Sequence, residues 1–299
     1  MKKSWLLPAA AVIGGVAGLA LRRLHLFYDF DAGTGLPLDP VRYGPALWGL
    51  TAAVLAVLLV LSLWKKARTF DKQFSSAFYA RSPLWFILAA AGGVLFFAGG
   101  LLNLMDCFRP ADLAGAAVRS STSVLRLLLG VVSLLAGAGV CLTILAVRKK
   151  GEYRGGWFTL PGFACCLWVM ACYQEWAKDP VLGHYLYPLL ALLLSMLACY
   201  FISAFAFGKG RVTAVLFLAS AAAALGVMSL ADGGALYTVS LRLGAALYLL
   251  AMAGTLAENA ARPAPPAVLP AGCAPADCAA CPGCTPDGPA GAPQPENKP

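Results

Sequence analysis

The chain has 299 residues, 60% of them hydrophobic and only 12% charged, whereas soluble domains carry roughly 25% charged residues. This composition excludes an ordinary soluble domain and predicts a polytopic membrane protein. The net charge of +9 does not point to nucleic acid, because nearly all the basic residues adjoin apolar runs, where they act as topology signals and headgroup contacts.

Eight apolar runs follow one another, at about 4–21, 44–64, 83–105, 124–147, 157–176, 185–207, 212–231 and 236–257. Each approaches the roughly 20 residues that cross a bilayer as a helix. The expected fold is an all-α bundle of eight transmembrane helices over 1–262, followed by a tail over 263–299. Connections between runs are too short to fold alone, so any binding site made by the chain belongs among the helices.

The first run, preceded by Lys2 and Lys3, also has the outline of a secretory signal, with Gly18-Leu19-Ala20 as a cleavage site. A repeated pattern argues that it is kept. The first run leads to an acidic segment at Asp29 to Asp31, and the second opens after Arg42. The third run closes on Asp106 and the fourth opens with Arg126; the seventh leads to Asp232 and the eighth contains Arg242. The remaining pair has Glu175 and Asp179 at its turn, with His184 and Tyr185 where an arginine would stand. Four tandem helical hairpins account for this arrangement.

Of the 23 Lys and Arg residues, 15 fall on the side holding both termini and 8 on the other, and nine of the ten lysines are in the first group. Cytoplasmic loops retain Lys and Arg, so both termini are expected in the cytoplasm of a cell with a bacterial-type inner membrane. The loop after the second run places Phe70, Phe74 and Phe78 four apart among Lys65, Lys66, Arg68, Lys72 and Arg81. That pattern predicts a short basic helix with its phenylalanines in the inner leaflet, or a docking site for a protein partner. On the other side, the stretch containing Asp29, Asp31 and Asp39 lacks calcium-loop spacing and reads as a turn-rich connector.

Pro8, Pro45, Pro83, Pro161 and Pro188 lie within the first turn or two of their runs, where proline is tolerated. The glycines Gly14, Gly15, Gly18, Gly92, Gly93, Gly99 and Gly100 predict close helix packing, with Gly14 and Gly18 in small-xxx-small spacing. Asn103 and Ser195, single polar residues within runs, are expected to bond to neighbouring helices.

Charges at membrane depth carry the functional expectation, since they are costly there and tend to be paired. Arg242 stands six residues into the last run, roughly 9 Å along a helix. One reading has it reach headgroups or pair with Asp232. The other places Arg242, Arg126, Glu175 and Gln174 around an outward-facing cavity for an anionic or zwitterionic solute, a role that suits the planar, five-donor guanidinium. No HExxH, GxSxG or GxxxxGK[ST] pattern occurs, and the two histidines, His25 and His184, both lie near the outer surface. The chain is therefore not expected to be an enzyme.

Six cysteines lie in or beside the runs and read as small apolar side chains. Cys107 and Cys172 share the outer side, but spacing alone does not pair them. Cys273, Cys278, Cys281 and Cys284 stand in the tail, which holds 11 of the 20 prolines and is expected to be disordered. Their CxxxxCxxCxxC spacing offers four thiolates to Zn²⁺ or an iron–sulfur cluster. The leading expectation is a non-enzymatic multi-pass membrane protein, in contact with lipids, that binds a protein partner or a lipid-like or small ligand in its bundle. The alternatives are a small-solute transporter and a membrane anchor for a metal or redox tail.

Overall fold

A computed structural model describes residues 5–31, 36–63, 74–108, 122–150, 156–176 and 181–261. The four tail cysteines, Lys65, Lys66, Arg68, Phe70 and Lys72 of the basic loop, and Asp179 lie outside the described residues.

The described helices are α1 (Leu6–Tyr28), α2 (Gly44–Leu63), the single turn α3 (Phe74–Ala77), α4 (Pro83–Phe108), α5 (Thr122–Lys150), α6 (Leu160–Trp176), α7 (Leu182–Ala204), α8 (Val212–Met228) and α9 (Leu236–Ala260). Tight 3₁₀ turns at Gly156–Thr159, Phe205–Phe207 and Ser229–Asp232 lead into α6, close α7 and close α8. The protein is an all-α membrane bundle. Among the described residues, seven helices are long and apolar enough to span a bilayer. The eighth, α6, has 17 residues and is preceded by the turn at Gly156–Thr159.

The long helices alternate in direction. Asp29, Asp106 and Asp232 mark one end of the bundle, called here the carboxylate end, where α1, α4 and α8 finish. A set of phenylalanines marks the other. Helices α8 and α9 are the most enclosed, each with 72% of its apolar window buried, while only 22% of α2 is buried. The chain's last two spans are therefore its core, and α2 lies at the edge.

Close approach of backbones brings the spans together. A Cβ on Gly92 of α4 would lie 2.7 Å from the Tyr248 nitrogen and 2.9 Å from the Gly244 oxygen of α9, so no side chain fits there. On the opposite flank of α4, a Cβ on Gly137 of α5 would stand 2.6 Å from the Gly93 oxygen. Between apolar helices in lipid, such contact replaces the water-driven term and gains dispersion energy. The Gly14/Gly18 spacing divides between two partners. Gly14 faces Val54 of α2, whereas Gly15 and Gly18 face Ala224, Val227 and Met228 of α8. Helix α1 is thus an integral part of the bundle.

Phe74 and Phe78 of the basic loop face protein, which corrects their lipid-facing assignment. Phe74 and Phe78 are 3% and 5% exposed. Phe74 packs 4.1 Å from Phe158, and Phe78 packs 5.2 Å from Phe205, by ring centroids. Asn259, at the end of α9, donates from Nδ2 to the Ala77 and Tyr79 carbonyls at 2.9 and 3.1 Å. The α3 turn is consequently a plug across this end of the bundle. The i, i+4 spacing identified an apolar face correctly, but the bundle end supplies aromatic partners of its own.

Candidate functional site

The site is built on the turn between α8 and α9. In Ser229-Leu230-Ala231-Asp232-Gly233-Gly234 the two glycines adopt φ of +66° and +111°, values that residues with a Cβ rarely adopt. The reversal directs the Asp232 carboxylate and the carbonyls of Ser229 and Gly233 toward neighbouring helices. Two arginines clamp it.

Arg22 of α1 is 1% exposed. It donates to Oδ1 of Asp232 from Nε at 3.0 Å and from Nη2 at 2.6 Å. Its Nη1 lies 3.0 Å from Nδ1 of His25. A guanidinium can only donate, so Nδ1 accepts and a neutral His25 carries its hydrogen on Nε2. The guanidinium carbon also stands 5.0 Å from the ring centroid of Tyr187 of α7, whose hydroxyl is 3.0 Å from that of Thr51 of α2. Four elements thus meet around one buried ion pair. Oδ2 of Asp232 is enclosed and has no hydrogen-bond partner among the described residues.

Arg242 approaches the same turn from α9. Its Nη1 donates to the Ser229 carbonyl at 3.0 Å and to the Gly233 carbonyl at 3.1 Å. Asp232 is near enough for their charges to interact, yet its Oδ1 bonds are with Arg22. The two sequence readings of Arg242 therefore resolve into a third: it is held by backbone carbonyls of the α8–α9 turn. These carbonyls satisfy part of its donor set, and neither Nε nor Nη2 has a hydrogen-bond partner among the described residues.

Arg242 lines a cavity between α6, α7, α8 and α9, together with Trp168, Cys172, Leu192, Ser195 and Ala245. The free space for water-sized occupants is about 20 Å³, and one water requires roughly 10–15 Å³ on that measure. Pro188 also borders it and removes one backbone N–H from the second turn of α7. Ser195 returns its hydroxyl to the Ala191 carbonyl of its own helix at 2.7 Å, so it does not bridge helices. Asn103 does, donating from Nδ2 to the Arg126 carbonyl at 2.8 Å.

The other candidates are placed apart from this cavity. Arg126 donates from Nη2 to Oδ2 of Asp106 at 2.7 Å and to the Tyr237 hydroxyl at 3.0 Å, with its guanidinium 5.1 Å from the Tyr237 ring centroid. This partly exposed pair ties α4 and α5 to α9. Gln174 has an enclosed Oε1 without a partner among the described residues but does not line the cavity. The side chain of Glu175 lies outside the described set. The acidic connector has a structural duty: Asp29 accepts N–H bonds from Arg42 at 3.0 Å, Tyr43 at 2.8 Å and Gly44 at 2.9 Å, capping the start of α2. Cys107, Cys141, Cys165, Cys166 and Cys199 are free thiols.

No family model, curated protein or solved structure matches this chain. The chemistry of the site must therefore carry the functional reading unaided.

Sequence reasoning assigned Arg22 to topology alone and left Tyr187 and Thr51 unremarked. One signal was present. Arg22 precedes the end of its helix by six residues, the same depth from a helix end that singled out Arg242.

Proposed function

We propose that this chain is a non-enzymatic multi-pass membrane protein that binds a small anionic ligand within its bundle, at Arg242. One observation carries the reading: the guanidinium of an arginine six residues into an apolar span borders a small cavity between helices with only Nη1 engaged by the described residues. Cations at such depth are costly and tend to mark ligand or ion pathways. Trp168, Leu192 and Ala245 give the cavity partly apolar walls, which strengthen an electrostatic contact there. The excess of Lys and Arg at the other end supports an outward-facing carboxylate end, with both termini cytoplasmic.

The test is native mass spectrometry of the full-length protein released gently from its own membrane, beside Arg242→Gln and a form ending at Arg262. A small adduct kept by the truncated form and lost from Arg242→Gln supports the bundle site. An adduct lost only on truncation would overturn it in favour of metal or cluster binding by Cys273, Cys278, Cys281 and Cys284.

Transport is the second reading, favoured by the asymmetry of the bundle: the cavity lies toward the carboxylate end, and an aromatic plug closes the opposite end. It requires two alternating conformations. Uptake of a radiolabelled anion into proteoliposomes distinguishes it from simple binding.

A further inference from the structure

Resting on that reading, we infer that the Arg242 cavity selects a weakly hydrated monovalent anion of halide size, in preference to a carboxylate solute or an oxyanion of higher charge. Size comes first. The free space of about 20 Å³ suits one or two water-sized bodies; a single halide meets that limit, while a solute with several heavy atoms does not fit within it.

Charge gives the sign. Among the described residues the cationic side chain on the wall is Arg242, whose Nη1 is spent on the carbonyls of Ser229 and Gly233, leaving Nε and Nη2 as donors for an anion. The neighbouring carboxylate does not occupy them, because Arg22 holds Asp232 through Oδ1. A metal cation would meet a fixed positive charge and finds no carboxylate among the described lining residues.

Wall chemistry gives the class. Trp168, Leu192 and Ala245 offer apolar surface, and the Ser195 hydroxyl hydrogen is committed to Ala191. Such a wall cannot replace the hydration shell of sulfate or phosphate, whose burial needs several donors. A halide loses less on dehydration, and the guanidinium is itself a weakly hydrated cation.

The experiment uses the full-length protein in detergent, exchanged into sodium sulfate and titrated with chloride, bromide, thiocyanate or acetate at matched ionic strength. Binding is read by calorimetry and by broadening of the chloride or bromide NMR line, which needs no variant. The expected result is saturable halide binding that weakens about tenfold or more in Arg242→Gln, as befits loss of a charge-assisted bond. Arg242→Lys should retain part of it. Ala245→Leu, which fills the cavity and leaves Arg242 in place, should abolish it. Acetate binding that depends on Arg242, without halide binding, overturns the halide class and leaves the anionic-ligand reading standing. Halide binding unchanged in both Arg242→Gln and Ala245→Leu overturns the site, as does the absence of binding by every anion.

Discussion

The buried pair between Arg22 and Asp232 makes a demanding prediction. Replacing Asp232 with Asn preserves shape and an acceptor at Oδ1 but removes the charge facing a guanidinium that is 1% exposed. Two hydrogen bonds to that oxygen, at 3.0 and 2.6 Å, then change from charge-assisted to half-neutral. Bonds to charged groups contribute roughly 1.5–3 kcal/mol and neutral ones roughly 0.5–1.5, so two of them lose at most about 2–3 kcal/mol, and less because the guanidinium donor stays charged. The uncompensated Arg22 raises the cost toward the roughly 3–5 kcal/mol typical of a broken buried pair. The assay is reversible unfolding in mixed detergent micelles. A double change, Arg22→Met with Asp232→Leu, should recover part of the loss, since Arg22 is removed together with its partner and only the weaker interaction of Asp232 with Arg242 is given up. An Asp232→Asn cost below about 1 kcal/mol, the range of exposed pairs, would refute the view that this pair is an enclosed tie between α1 and the α8–α9 turn.

Three further outcomes follow from the same structure. Asp29→Ala removes the acceptor for three N–H groups at the start of α2 and should lower stability by about 1–3 kcal/mol, with faster amide exchange at Tyr43 and Gly44 and little change in α8. Phe74→Ala should cost roughly 3–5 kcal/mol, as for buried phenylalanines generally, and labelling of a cysteine placed at Phe158 should accelerate; unchanged labelling would show that the plug does not seal that end. Gly92→Leu sets a side chain against the backbone of α9 and should displace α4 by more than a side-chain rearrangement, so a disulfide engineered between α4 and α9 should fail to form in it.

Local features made much of this fold legible in advance. The number and order of spans follow from runs of apolar residues, because a backbone in lipid must satisfy its hydrogen bonds within each helix. The alternating acid and arginine at helix ends was equally plain, and Asp106 with Arg126 pairs within a single hairpin, where chain connectivity enforces proximity. What escaped sequence reasoning was the choice of partners between hairpins. Asp232 pairs with Arg22, 210 positions away, and Arg242 binds carbonyls, although both arginines stand at similar depth in their helices. The phenylalanines of the basic loop show the same gap, since i, i+4 spacing announces an apolar face without saying what covers it. In a soluble helix the polar stripe identifies the face that meets water, but lipid is about as apolar as a helix interface. Sequence therefore determined that these segments cross the membrane and which ends carry charge. Only the tertiary structure decided which faces meet, because that depends on the close fit of glycine-lined backbones and on the few polar groups that must find partners.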